Sequence, residues 1–427
     1  MVKILLNILL LLFIISCSNS KIQLEVADLS STNVCVSIML QNFIQTDSMF
    51  VENNKSKIEK FILDNQLTTI CIDSLLPNTK YNFDFYSSQD SKLLGSTMIH
   101  TQDTTSHNFN WKIFEFGDHA NSGLYDVSII DSDNIWAVGE FYLNDREGKP
   151  DKECYNIAFW NGDEWKYFRQ NFGKHDQLNY PLKSVFAFEN KDVWFCGNEV
   201  IHWNGKIFEN IPIEDIYYNR VELNKIWGKN SNDLYIVGDE GTILHYGGKT
   251  EGWTRIGCDK AFLLNNVTGN SNTDEVFVSG YTTKKSSSIF KINNQKLSLY
   301  WQEGKQNFPK YGKFIESIWC YNDYLFISSR GGGIFRKNFR LDTPAQNLLV
   351  KHGITNKVFG LDQNDIFIVG QGPMIWHFNG AKGQRLYHRL NQGLYSCDIK
   401  NNLFVGVGSR ILKDNYRKAF VIIGIRN

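Results

Sequence analysis

The stretch Asp233-Leu234-Tyr235-Ile236-Val237-Gly238-Asp239-Glu240-Gly241-Thr242-Ile243-Leu244 carries the reading of this chain. An acidic residue opens it, leucine and isoleucine flank an aromatic, and a small residue closes it before a polar turn and a second apolar run. The same order returns at Asn134-Ile135-Trp136-Ala137-Val138-Gly139, Asp192-Val193-Trp194-Phe195-Cys196-Gly197 and Glu275-Val276-Phe277-Val278-Ser279-Gly280. It returns again at Tyr324-Leu325-Phe326-Ile327-Ser328-Ser329, Asp365-Ile366-Phe367-Ile368-Val369-Gly370 and Asn402-Leu403-Phe404-Val405-Gly406-Val407-Gly408. Short β-branched and aromatic runs bounded by turn residues read as strands.

A repeat of roughly 40 residues made of short strands predicts a β-propeller with one four-stranded blade per copy. Each copy can be phased as strands d, a, b and c. Strand a is the apolar stretch around Val127, Val185, Ile226, Val267, Ile318, Val358 and Leu394, and strand b carries the quoted aromatic. The turns from c to d read Asn161-Gly162, Asn204-Gly205, Gly247-Gly248, Asn293-Asn294 and Asn379-Gly380. Such pairs suit a two-residue type I′ hairpin, whose central residues both need positive φ. Seven blades are expected over residues 111–427, with six or eight as alternatives. The last copy stops after strand c. Trp111-Lys112-Ile113-Phe114 nearly duplicates the outer strand Trp165-Lys166-Tyr167-Phe168, so strand 111–116 is expected to complete the last blade and leave no open edge.

Ahead of the repeats, residues 22–102 alternate as strands, with residues 103–110 as a polar linker. Within them Leu75-Leu76-Pro77-Asn78-Thr79-Lys80-Tyr81 resembles the corner of a fibronectin type III domain, where a Tyr hydroxyl bonds back to the corner backbone. No Trp stands on the second strand, where Ile38 and Met39 are found. The fold class is therefore all-β: a fibronectin type III-like sandwich followed by a propeller.

Residues 1–17 read as a signal segment. Lys3 precedes the apolar run Ile4 to Ile15, too short to span a bilayer comfortably. Ile14-Ile15-Ser16-Cys17 resembles a bacterial lipobox, which makes Cys17 the lipidation site; an ordinary cleaved signal with an incidental Cys is the alternative. Two acyl signals on one terminus suffice for stable anchoring. Lys and Arg number 45, as do Asp and Glu, and no basic stretch is interleaved with aromatics, which argues against nucleic acid as a partner. The 8 cysteines include no zinc-type cluster, so neither metal nor cofactor is expected. Cys35 and Cys71 fall on strands expected to neighbour each other, either as a disulfide or as two independent thiols.

The repeats resemble those of the photosystem II assembly-factor and BNR-like propellers. The order of signal, fibronectin-like domain and repeat resembles a group of secreted bacterial lipoproteins. These resemblances imply fold and an envelope location, without an activity. Chemistry at a propeller concentrates at the mouth of the axis. The residue following the small position of each strand b gives a candidate ring of Glu140, Asn198, Asp239, Tyr281, Arg330, Gln371 and Ser409, either a ligand-binding rim or a merely solvated one. The long b–c loops, residues 141–155 and 281–288, are further candidates. His202, His245 and His377 belong to different blades and are expected to pack on strand-d aromatics. No sialidase-type Asp turn, nucleophile elbow or phosphate loop occurs.

The sequence thus favours a monomeric, non-enzymatic envelope lipoprotein whose propeller engages an envelope protein or a glycan. A carbohydrate-active enzyme using Glu140 and Asp239 at the mouth is the alternative. A purely structural envelope component is the third class.

Overall fold

The computed structural model describes residues 22–40, 48–53, 56–62, 67–170, 180–213, 221–270, 274–284, 286–305, 313–330, 333–341, 345–349, 354–371, 374–387, 391–412 and 416–427. The signal segment with Cys17, and Lys285 in the second long loop, lie outside the described residues. The chain divides into two compact units, Met1–Thr104 and Thr105–Asn427.

Among its described residues, the first unit forms two antiparallel sheets. One orders Ile22–Leu29, Val34–Leu40 and Leu67–Ile72; the other orders Ser56–Ile62, Ser48–Asn53, Lys80–Ser87 and Leu93–His100. Val34, Val36 and Ile38 alternate inward from one sheet to meet Met49, Val51, Phe83 and Phe85 of the other. Cys35 lies directly opposite Cys71, and the two are joined in a disulfide. The Tyr81 hydroxyl accepts the Leu76 backbone N–H at 2.7 Å, tying the strand start to the turn before it.

The second unit is a ring. Among the described residues it contains seven four-stranded antiparallel sheets, whose inner strands are Gly123–Asp131, Ser184–Glu189, Leu223–Asn230, Phe262–Gly269, Lys313–Tyr321, Thr355–Asp362 and Gln392–Lys400. We number the sheets 1 to 7 in that order. Each inner strand packs on the next, and the last returns against the first. A closed ring of four-stranded sheets is a β-propeller. Its core lies between sheets: Val405, Val407 and Val421 meet Val127, Ile129 and Ala137, and Trp136, Val138 and Ile157 meet Val185, Val193 and Phe195. Burying each such side chain contributes about 1.5–3 kcal/mol before entropy is set against it. The outer strand of sheet 7 is Phe109–Phe116, which pairs with Arg417–Arg426 so that Trp111 faces Gly424.

Packing at one point explains the small residue that closes each repeat. A Cβ added at Gly139, Gly238, Gly370 or Gly408 would stand 2.1, 2.3, 2.0 and 1.8 Å from the backbone oxygen of Gly123, Glu222, Ile354 and Gly393 respectively. None of the four glycines has positive φ. Glycine is needed there for space, because the second strand crosses the chain entering the inner strand. Gly238→Ala is expected to cost about 1–3 kcal/mol through backbone displacement, read as a lowered urea midpoint; an unchanged midpoint would show that the crossing can open freely.

Two expectations need correction. The Asn-Gly turns are not two-residue type I′ hairpins. Gly162, Gly205 and Gly380 have φ of 94°, 91° and 93°, but their Asn neighbours do not have positive φ. Each loop spans four residues, because the Asn side chain gathers two backbone N–H groups: Asp163 and Glu164 on Asn161, Lys206 and Ile207 on Asn204, Ala381 and Lys382 on Asn379. In sheet 4 the positive pair is shifted one residue, to Asn294 and Gln295. Nor is the whole of 103–110 a linker. Thr105 donates to the Asn364 carbonyl at 3.1 Å, and His107 Nδ1 lies 2.8 Å from His377 Nδ1, so the second unit begins at Thr105.

Candidate functional site

Inner strands of a propeller are not hydrogen-bonded to one another as sheet neighbours, so each would present unpaired backbone N–H groups along the axis. Side chains from neighbouring inner strands supply the missing acceptors. Asp126 accepts the Val185 N–H at 3.1 Å, Ser128 that of Ala187 at 3.1 Å, and Thr268 that of Cys320 at 3.1 Å. Ser317 accepts the Val358 N–H at 3.3 Å, and Asp398 closes the circle on the Ile129 N–H at 2.6 Å. Polar residues therefore line the axis because the edges of seven sheets meet there.

One level of this lining is a ring of Asp126, Ser184, Lys225, Asn266, Ser317, Lys357 and Ser396, buried except for the half-buried Lys225. Asp126 is its hub. Its Oδ2 accepts from the Ser184 hydroxyl at 2.5 Å and from Lys225 Nζ at 2.5 Å, and its Oδ1 accepts from the Ser396 hydroxyl at 2.6 Å. A single carboxylate thus joins sheets 1, 2, 3 and 7. Asn266 donates to Ser317 at 3.1 Å between sheets 4 and 5. Below this level a cavity of about 70 Å³ runs along the axis, lined by Asp126, Lys225, Lys357, Asp398, Trp227 and Trp319 among others. Sequence reasoning missed this cluster. Its signal was a charged residue immediately before the strand-a anchor, as in Asp126-Val127, Lys225-Ile226 and Lys357-Val358.

The candidate mouth ring occupies the other end of the inner strands, and its members differ in exposure. Glu140, Asn198, Asp239 and Tyr281 are half-buried, Arg330 and Gln371 are exposed, and Ser409 is buried. Four of them are bonded to the inner strand of their own sheet. The Tyr125 hydroxyl donates to Glu140 at 2.7 Å, Asn224 donates to Asp239 at 2.8 Å, Arg330 pairs with Glu316 at 2.6 Å, and Tyr395 lies 2.6 Å from Ser409. Gln371 forms an isolated bridge to Gly393, and Asn198 lies in the turn after the second strand of sheet 2. The rim gains Lys183, which pairs with Glu222 at 2.7 Å and stands over the Tyr125 ring at 5.1 Å. Tyr125 and Tyr395 lie side by side, their ring centres 6.2 Å apart. Of the two long loops, that at 141–155 is ordered by Asp145, which accepts the N–H groups of Glu147 and Lys149.

Of the three histidines, only His377 meets a strand-d aromatic among the described residues, Phe109 with ring centres 6.3 Å apart. Each faces the aromatic of its own second strand, with ring centres 4.4 Å apart for Trp194 and His202, 4.5 Å for Tyr235 and His245, and 4.5 Å for Phe367 and His377. Each also bonds the Asp that opens that strand, Asp192, Asp233 or Asp365, at 2.8 Å. Cross-strand register brings these pairs together.

Burial sets the titration of the axis. It pushes the Asp126 carboxyl up, but Lys225, Lys357 and Ser184 more than reverse this and hold it below its ordinary value. Burial raises Asp398 to about 6 against its two backbone N–H donors, and lowers Lys357 to about 8 with help from Lys225. Asp398 therefore binds its proton more tightly when folded. Its contribution to stability is complete below 3.8 and lost as pH rises through about 6. Lys357 has the opposite sign: its contribution is complete above 10.5 and lost as pH falls through about 8. Both costs are borne together between those values. Asp398→Asn is expected to gain over wild type in urea midpoint as pH rises from about 4 to about 7; parallel pH curves would contradict this.

No protein-family model matches the chain, and no curated protein matches it. Solved structures do. One described as YCF48 bound to D1 peptide is 14% identical with a TM-score of 0.55, covering 76% of this chain and 100% of its own. The WD40 β-propeller domain of Doa1 is 12% identical with a TM-score of 0.54, covering 74% and 97%. YCF48 from Cyanidioschyzon merolae is 13% identical with a TM-score of 0.50, covering 74% and 98%. At these identities the likeness is one of fold: the second unit is a β-propeller, as theirs are.

Proposed function

We propose that this chain is a non-enzymatic lipoprotein of a bacterial cell envelope, with a seven-bladed propeller as a protein-interaction head on a fibronectin type III-like spacer. The observation that carries the reading is the rim. Tyr395, Tyr125 and Lys183 lie together at the mouth, half-buried, presenting two aromatic hydroxyl-bearing rings and a cation at low conformational cost. Tyrosine is enriched in protein interfaces because its ring offers apolar area and its hydroxyl a hydrogen bond. That one structural neighbour is described with a bound peptide agrees with this use of the fold. The two-sheet arrangement of the first unit and the Tyr81 corner bond support the fibronectin-like reading.

The enzyme alternative finds less support. Glu140 and Asp239 are each bonded to a neighbour on their own sheet, and they belong to sheets 1 and 3, which are not adjacent. The test is affinity capture from solubilised envelopes using the full chain in detergent micelles, alongside a glycan array. One polypeptide captured saturably, and lost with Tyr125→Ala and Lys183→Glu, is the expected result. Saturable glycan binding without a captured polypeptide would overturn it. Separately, Cys17→Ser is expected to move the chain from the membrane to the soluble fraction of cells; retention in the membrane would contradict lipid anchoring.

A further inference from the structure

Among the described residues, the lacing of the axis gives every charged group a bonded partner except Lys357, which Asp126 and Asp398 attract only through space. Its side chain is buried, with 9% of the residue exposed, yet its Nζ has no hydrogen bond or ion pair among the described residues. It stands over the Phe359 ring, 5.8 Å from centroid to Nζ. Asp126, the carboxylate of the same ring, already accepts from Ser184, Val185, Lys225 and Ser396. An unpaired buried ammonium is costly unless something compensates it. Lys357 also lines the axial cavity, whose volume of about 70 Å³ exceeds that of a single water site.

We propose that this axial cavity binds a small, singly charged carboxylate of formate or acetate size, held by Lys357 and Lys225. Lys357 has all three ammonium protons to donate, and Lys225 spends one on Asp126. Thr268, whose hydroxyl oxygen accepts the Cys320 N–H, keeps its own proton for a second oxygen. Trp227, Trp319, Phe186 and Phe359 form apolar walls that suit the carbon end of the acid. Four charged side chains face the site: Asp126, Lys225, Lys357 and Asp398; the Cys397 thiol beside them is raised by burial and stays neutral. Asp126 and Asp398 both oppose an anion; Asp126 is held ionised below its ordinary value, and Asp398 is the one whose charge changes with pH. Because it takes up its proton near pH 6, the site favours an anion more strongly in acid.

The experiment titrates sodium formate into the full chain against sodium gluconate at matched ionic strength. Tryptophan emission and the thermal midpoint report binding, at about pH 5 and about pH 7. Formate is expected to raise the midpoint saturably and shift the emission, more tightly at the lower pH, while gluconate is too large to enter. Lys357→Met is expected to weaken the formate response about tenfold or more, with Lys296→Met, exposed on the outer strand of sheet 4, responding as wild type. Equal responses to formate and gluconate would overturn the proposal, as would a Lys357→Met protein that binds formate like wild type. Should that variant fail to fold, wild-type formate affinity that does not tighten between the two pH values overturns it independently.

Discussion

Asp126→Ala is expected to lower the stability of the propeller by about 3–5 kcal/mol, the range for breaking one side of a buried ion pair. The substitution leaves the Lys225 ammonium without its carboxylate, where its side chain is only 17% exposed. It also strands the Ser184 and Ser396 hydroxyls and the Val185 N–H. These donors come from sheets 2, 3 and 7, so the damage reaches the ring as a whole. Against a total stability of about 5–15 kcal/mol, such a loss would leave a marginal fold. Asp126→Asn, which keeps the shape and an acceptor, should lose less. Urea unfolding followed by tryptophan emission measures both, and a loss below about 1 kcal/mol for the alanine variant would mean that water replaces the hub.

Lys357→Met is expected to have the opposite sign, raising stability by about 1–3 kcal/mol near neutral pH. Methionine fills a similar volume and removes a buried ammonium that has no bonded partner. It also relieves the repulsion between Lys357 and Lys225, which outweighs the attraction of Asp126 that is given up with it. The gain should shrink as pH rises through about 8 toward 10.5, because the wild-type lysine then gives up its charge in the folded state. A destabilised variant, or a gain that does not vary with pH, would show that the ammonium is compensated within the chain. A side chain retained at a cost to stability is one kept for another reason, and the axial anion site supplies that reason.

The sequence was most legible where neighbours in space are close in the chain. The second strand of each sheet showed itself through its apolar run, its aromatic and the small residue near its end. The end strand at Trp111 was found by its likeness to Trp165-Lys166-Tyr167-Phe168. The three Asn-Gly turns were placed correctly but typed wrongly, since the Asn161, Asn204 and Asn379 side chains replace the backbone geometry that the Asn-Gly dipeptide suggests. The inner strand of sheet 7 was anchored three residues early. Leu394 pairs with Gly408 as Leu124 pairs with Gly139, so Cys397 is the equivalent of Val127.

The axial cluster was illegible for a physical reason. Asp126, Lys225 and Lys357 are far apart in the chain, and each sits in an alternating strand where a charge ordinarily means a solvent-facing position. Only closure of the ring turns that face toward a shared, buried axis. The mouth ring was proposed as seven equivalent positions, yet local bonding differs in each: Ser409 is covered by Tyr395 while Arg330 stands exposed beside Glu316. The rim residues Tyr125, Lys183 and Tyr395 were passed over because they belong to the inner strands, which had been read only for their apolar anchors.

The central claim is that a protein docks on the propeller mouth. Its most direct test is a photo-crosslinking residue placed at Lys183 on the rim, or at Leu299 on the outer strand of sheet 4, where the side chain is 40% exposed, with the full chain expressed in intact cells. A discrete adduct of one size from position 183, absent from position 299, is the predicted result. An adduct from position 299 with none from position 183 would move the interaction surface to the outer edge and contradict the account.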